Sequence, residues 1–141
     1  MELKLLASSP DVETIIATAM LTTCSREGPS ELLRHLREKP KKVKKLVKAL
    51  SLKHGSVIEH NRLIFLANAK DDEVLELLLA SHFIEASRLG DGKWLLSCNL
   101  RTVVELLTGQ HNLPPGVREG LLSALREVAP TFYEKVVGHE G

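Results

Sequence analysis

The chain has 141 residues, 43% hydrophobic and 26% charged, with nineteen Lys and Arg against eighteen Asp and Glu for a net charge of +1. That is the size and composition of a single globular domain, spanning 1–141, with its own core, and it carries no global charge to draw nucleic acid or an anionic membrane. No apolar run approaches the roughly 20 residues of a membrane span, and Met1-Glu2-Leu3-Lys4-Leu5-Leu6 alternates instead of forming a signal peptide, so the expected location is cytoplasmic.

Residues 2–7 read as a short strand. Pro10-Asp11 opens a helix whose Val12, Ile15, Ile16 and Ala19 share one face. Beyond the Glu27-Gly28-Pro29-Ser30 turn, Ser30 is expected to cap a short helix over 31–38. Pro40 starts the next helix, striped by Val43, Leu46, Val47 and Leu50, covered elsewhere by Lys41, Lys42, Lys44, Lys45 and Lys48, and ended by Gly55. No aromatic residue interrupts these lysines, so the helix reads as a solvated face and nucleic acid is not an expected partner.

Residues 61–68 form the next expected strand, and Asp71-Asp72-Glu73 suits the positive end of a helix over 72–81. The run Leu77-Leu78-Leu79 is too apolar for one amphipathic stripe, which places this helix centrally in the core or in a subunit interface. Strands at 83–88 and 93–98 are joined by Leu89-Gly90-Asp91-Gly92, a strong hairpin signal. Asn99 caps a helix from Leu100 to Leu107. Pro114-Pro115 starts another, with Val117, Leu121, Leu122 and Leu125 inward, and Pro130 opens a last one bearing Phe132, Tyr133 and Val136. The sum is an α+β domain, a small mixed or antiparallel sheet of about four strands packed with five or six helices. Cys24 and Cys98 lie far apart without a CxxC and are expected as reduced thiols serving as small core hydrophobes.

Two segments concentrate chemistry. His54-Gly55-Ser56-Val57-Ile58-Glu59-His60 gathers two histidines, a hydroxyl and a carboxylate at the mouth of a strand. Its spacing matches no zinc pattern and no cysteine is near, so metal is not expected; no G-x-S-x-G elbow accompanies the serines. The second segment is Ser97-Cys98-Asn99-Leu100-Arg101-Thr102, a strand-to-helix junction. There the helix N-terminus and the fixed charge of Arg101 would cradle an anion. The plainer reading makes Asn99 a cap, Arg101 a surface residue and Glu59 an acceptor for backbone.

The first segment resembles G-H-x-S-V-L-E-H of the flavin-dependent thymidylate synthases, and the second is similar to that family's N-x-R helix start. Ala129-Pro130-Thr131-Phe132 looks like the family's closing A/C-P-x-x-F, so the resemblance runs from about residue 2 to 137. It implies a shortened domain of that family's fold, FAD as the possible cofactor at His54, Ser56, Glu59, Asn99 and Arg101, and a homo-oligomer, dimer or tetramer, with sites between subunits. The departures are specific. The family's R-H-R-x-x-S, which binds the uracil nucleotide, falls on Val74-Leu75-Glu76-Leu77-Leu78-Leu79-Ala80-Ser81-His82, where there is no arginine. Gly90-Asp91-Gly92 replaces a long insertion, Glu85-Ala86-Ser87-Arg88 is one residue short of the family's E-x-S-x-R-Y, and Gln110 and Pro114 stand where the family has an arginine and a histidine. Each lost cation removes a charge-assisted hydrogen bond of about 1.5–3 kcal/mol to a nucleotide phosphate. The resemblance therefore implies a divergent member that does not methylate dUMP but retains flavin or nucleotide binding. The alternatives are a non-catalytic structural or regulatory subunit, alone or with a full-length relative, and an active enzyme whose missing arginines come from elsewhere.

Overall fold

In the computed structural model, which describes residues 1–52 and 55–140, four strands form one antiparallel sheet in the order β1-β2-β4-β3. The strands are β1 (Glu2–Ser8), β2 (Leu63–Asn68), β3 (Glu85–Gly90) and β4 (Lys93–Cys98). Between β1 and β2 come helices α1 (Val12–Thr22), α2 (Pro29–Arg37) and α3 (Pro40–Ala49), then a 3₁₀ turn, Ser56–Glu59. Helix α4 (Asp71–Ala80) links β2 to β3, and α5 (Leu100–Thr108), α6 (Val117–Val128) and α7 (Pro130–Glu140) close the chain.

Alternation in the strands sets the layers. Leu5, Phe65, Leu96 and Ala86 stand side by side across all four strands, and Phe65 and Leu96 are buried against the helices. The neighbouring row, Lys4, Leu66, Leu95 and Ser87, faces the other way and is half-buried or exposed. The hairpin turn has positive φ at Gly90 (95°), Asp91 (54°) and Gly92 (73°), conformations that suit glycine and, less often, aspartate. At the opposite edge α6 lies so close on β1 that a Cβ on Gly120 would sit 2.6 Å from Leu3 Cβ.

Several sequence expectations shift on contact with the tertiary structure. In α1 the buried residues are Val12, Ile16, Ala17 and Thr18, while Ile15 and Ala19 are half-buried, because α1 packs on α2, α3 and the 3₁₀ turn and not on one flat surface. Helix α2 starts at Pro29 with Gly28 as its extended N-cap, so Ser30 lies inside it; proline is preorganised for that first position. Helix α3 ends at Ala49, before Gly55, where Leu50 turns to extended backbone and Lys135 Nζ donates to the carbonyls of Val47 (3.2 Å), Lys48 (2.9 Å) and Leu50. There are seven helices among the described residues where five or six were expected. Cys98 is buried, and burial pushes its thiol up to about 12, whereas Cys24 is exposed and so is not a core hydrophobe. Glu13 accepts from the Thr131 N–H (3.1 Å) at the start of α7; burial raises its pKa above the ordinary carboxyl range, against the opposing pull of that bond. No helix of the described residues is long and apolar enough to cross a membrane.

Candidate functional site

The two polar segments meet because the 3₁₀ turn packs between α1 and the start of α5. Ile58, fully buried, anchors the turn and leaves Ser56, Glu59 and His60 exposed around it. His54 lies outside the described residues. Asn61, which no motif pointed to, joins the two segments: its Nδ2 donates to the Ile58 carbonyl (2.8 Å) and its Oδ1 accepts from the Leu100 N–H (2.6 Å). Asn99 is a side-chain N-cap as expected, its Oδ1 accepting from the N–H (3.0 Å) and the hydroxyl (3.2 Å) of Thr102.

Arg101 reaches back over the turn. Its guanidinium pairs with Glu59 across 42 residues of sequence and, through Nε, with Glu105 at 3.0 Å. The hydrogen bond to Glu59 and then that to Glu105 raise the Arg101 pKa further above its already high value. A Cβ on Gly55 would collide with this guanidinium, so a glycine at 55 leaves Arg101 room to lie across the turn. The structure thus brings Glu59, Asn99 and Arg101 together around the start of α5. It adds Asn61 and Glu105; the second is legible as an i, i+4 partner of Arg101, the first only in three dimensions.

The arrangement differs from an open anion cradle. Two of the first-turn amides of α5, those of Leu100 and Thr102, already donate to asparagine oxygens. One arginine between two carboxylates leaves the cluster with a net negative charge. As it stands, the start of α5 does not fit a pyrophosphate or a nucleotide phosphate; an anion would have to displace Glu59 from Arg101. On the other side of the turn, His60 stands at an open groove of about 370 Å³ lined by Ile15, Thr18, Ala19, Thr22, Thr23 and Pro29. Thr18 and Thr22 turn their hydroxyls back to the Thr14 and Thr18 carbonyls (2.8 and 2.7 Å), leaving the groove with little polar surface. Among the described residues no group of three His, Cys, Asp or Glu side chains is placed to hold a metal ion.

No protein-family model and no curated protein matches the chain. Among solved structures, the crystal structure of a UMP/dUMP methylase, PolB from Streptomyces cacaoi, bound with 5-Br dUMP, superposes with a TM-score of 0.72 over 96% of this chain and 94% of that one. The fold is flavin-dependent thymidylate synthase-like. Identity to that methylase is 13%, so the likeness extends to the fold and not to its chemistry. Helix α4, where the sequence resemblance would put nucleotide-binding arginines, carries Asp71, Asp72, Glu73 and Glu76 and no basic residue.

Proposed function

We propose that this chain is a divergent, non-methylating protein of the thymidylate synthase-like fold that works as a structural or regulatory subunit assembled with copies of itself. The observation that carries this reading is α4. It offers four carboxylates to any phosphate, and it exposes Leu75 (57%), Leu79 (71%) and, just beyond it, Phe83 (69%). Leu75 and Leu79 stand four positions apart on α4 and Phe83 follows in the turn after it; a second copy would cover these exposed apolar side chains about a two-fold axis. Sedimentation equilibrium at micromolar concentration is expected to show a dimer or tetramer, and Leu75→Glu with Leu79→Glu is expected to dissociate it without unfolding. A wild-type monomer would overturn the proposal. The same preparation is expected to form no dTMP from dUMP, methylene-tetrahydrofolate and a reductant; turnover above an enzyme-free control would return the chain to the enzymes.

A second reading, that FAD or a nucleotide is retained, is favoured by the apolar groove beside His60, which suits a flat ring. In that reading Arg101 exchanges Glu59 for a phosphate. Titration with FAD, FMN and dUMP separates the two. The subunit reading expects no binding at millimolar concentration. The ligand reading expects Arg101→Ala to lose about tenfold in affinity, near 1.4 kcal/mol, and Glu59→Gln to gain affinity by freeing the guanidinium.

A further inference from the structure

We propose that the α2–α3 face binds the phosphate backbone of nucleic acid without reading its sequence. Residues 26–48 hold nine of the nineteen Lys and Arg but three of the eighteen carboxylates, a net +6 against −5 for the rest of the chain. The fold keeps this charge together: α2 and α3 are in contact, both pack on α1, and all nine cations are exposed. Few have partners. Arg37 pairs with Asp11 at 3.0 Å and Lys44 comes within 3.9 Å of Glu134, while Lys39, Lys41, Lys42, Lys45 and Lys48 make no ion pair among the described residues.

This charge is unfavourable for the helix that carries it. Lys41 and Lys42 stand in the first turn of α3, at the positive end of its dipole, with no acid in that turn. Lys41, Lys45 and Lys48 follow one another at i, i+4 and i+7, so each repels the next. Mixed charges would keep a merely solvated face soluble without either cost. Lys39 and Lys42 also converge with Ser25 on a cleft of about 280 Å³; His35 lines it too, paired there with Glu27 at 2.9 Å.

The chemistry of the face points to a phosphate backbone. It has no aromatic residue for stacking bases and no exposed large hydrophobic for the core of a protein interface. Three lysines along roughly 10 Å of helix, flanked by cations from α2, suit a line of phosphates. The proposal departs from the expectation of a plain solvated face. What the sequence did not display was the second basic helix alongside and the lack of counter-charge.

The test is fluorescence anisotropy with two labelled DNA duplexes of unrelated sequence. Both are expected to bind equally at about 50 mM salt and to weaken steeply by about 200 mM. The triple variant Lys41→Gln, Lys45→Gln, Lys48→Gln is expected to lose at least about tenfold in affinity and to flatten the plot of log K against log salt by about 2–3, near 0.9 per phosphate contact. Its melting temperature should equal or exceed the wild type's. Absence of binding at about 50 mM salt, equal affinity of the variant, or a lower melting temperature would overturn the proposal. So would polyglutamate binding as tightly as DNA at the same salt, which would give the face to an acidic protein.

Discussion

Replacing Phe132 with alanine is expected to remove about 3–5 kcal/mol of stability, the range for emptying a fully buried aromatic site. Phe132 has no solvent exposure, and its helix α7 packs on α3, α5 and α6. The cavity would therefore open where three helices meet, and backbone that is pinned from several sides collapses poorly into a void. For a domain of this length the melting temperature should fall by roughly 10–15 °C. Tyr133→Ala is the control. Tyr133 is half-buried and stacks beneath the Arg126 guanidinium at 5.7 Å, an arrangement worth about 0.5–1 kcal/mol near the surface. Urea titration of both variants tests the contrast; equal losses would mean that Phe132 does not hold α7 in place.

The second large effect is expected at Lys135. Its ammonium donates to three carbonyls at the end of α3, where helix-end carbonyls run short of donors; that of Val47 also accepts from the Leu50 N–H (3.2 Å). Burial lowers its pKa, and the charge nevertheless gains three oxygen partners. Lys135→Met keeps the aliphatic stem and removes the donors, for an expected loss of about 1.5–3 kcal/mol. Lys135→Arg should recover part of it, because a planar fork cannot meet three converging carbonyls as an ammonium can. Chemical denaturation reads both. A Met variant within about 0.5 kcal/mol of wild type would show that water replaces the lysine at no cost.

How far the sequence foretold this architecture depends on the range of each signal. The Gly90-Asp91-Gly92 hairpin and the Asn99 cap were legible because each is settled within four residues by φ and by one side chain. The inward face of α1 was not. A single 3.6-residue stripe assumes one packing partner, and Ala17 and Thr18 are buried because α1 has several. The halves of the candidate site could be named from the resemblance, but their electrostatics could not. Arg101 looked like a free cation until Glu59 and Glu105 were placed beside it. The apolar run in α4 left core and interface both open, and the structure divides it: Leu77 goes to the core and Leu79 to the surface.

The Asn61 side chain has a mechanical consequence. By holding the Ile58 carbonyl with one end and the Leu100 amide with the other, it rivets two stretches 39 residues apart in sequence. Neither the turn nor the first coil of α5 can loosen alone without breaking that rivet, so the two should open as one cooperative unit. The Leu100 amide belongs to a class of helix-start N–H groups that usually exchange freely with water. Here its exchange would report the separation of the two polar segments directly.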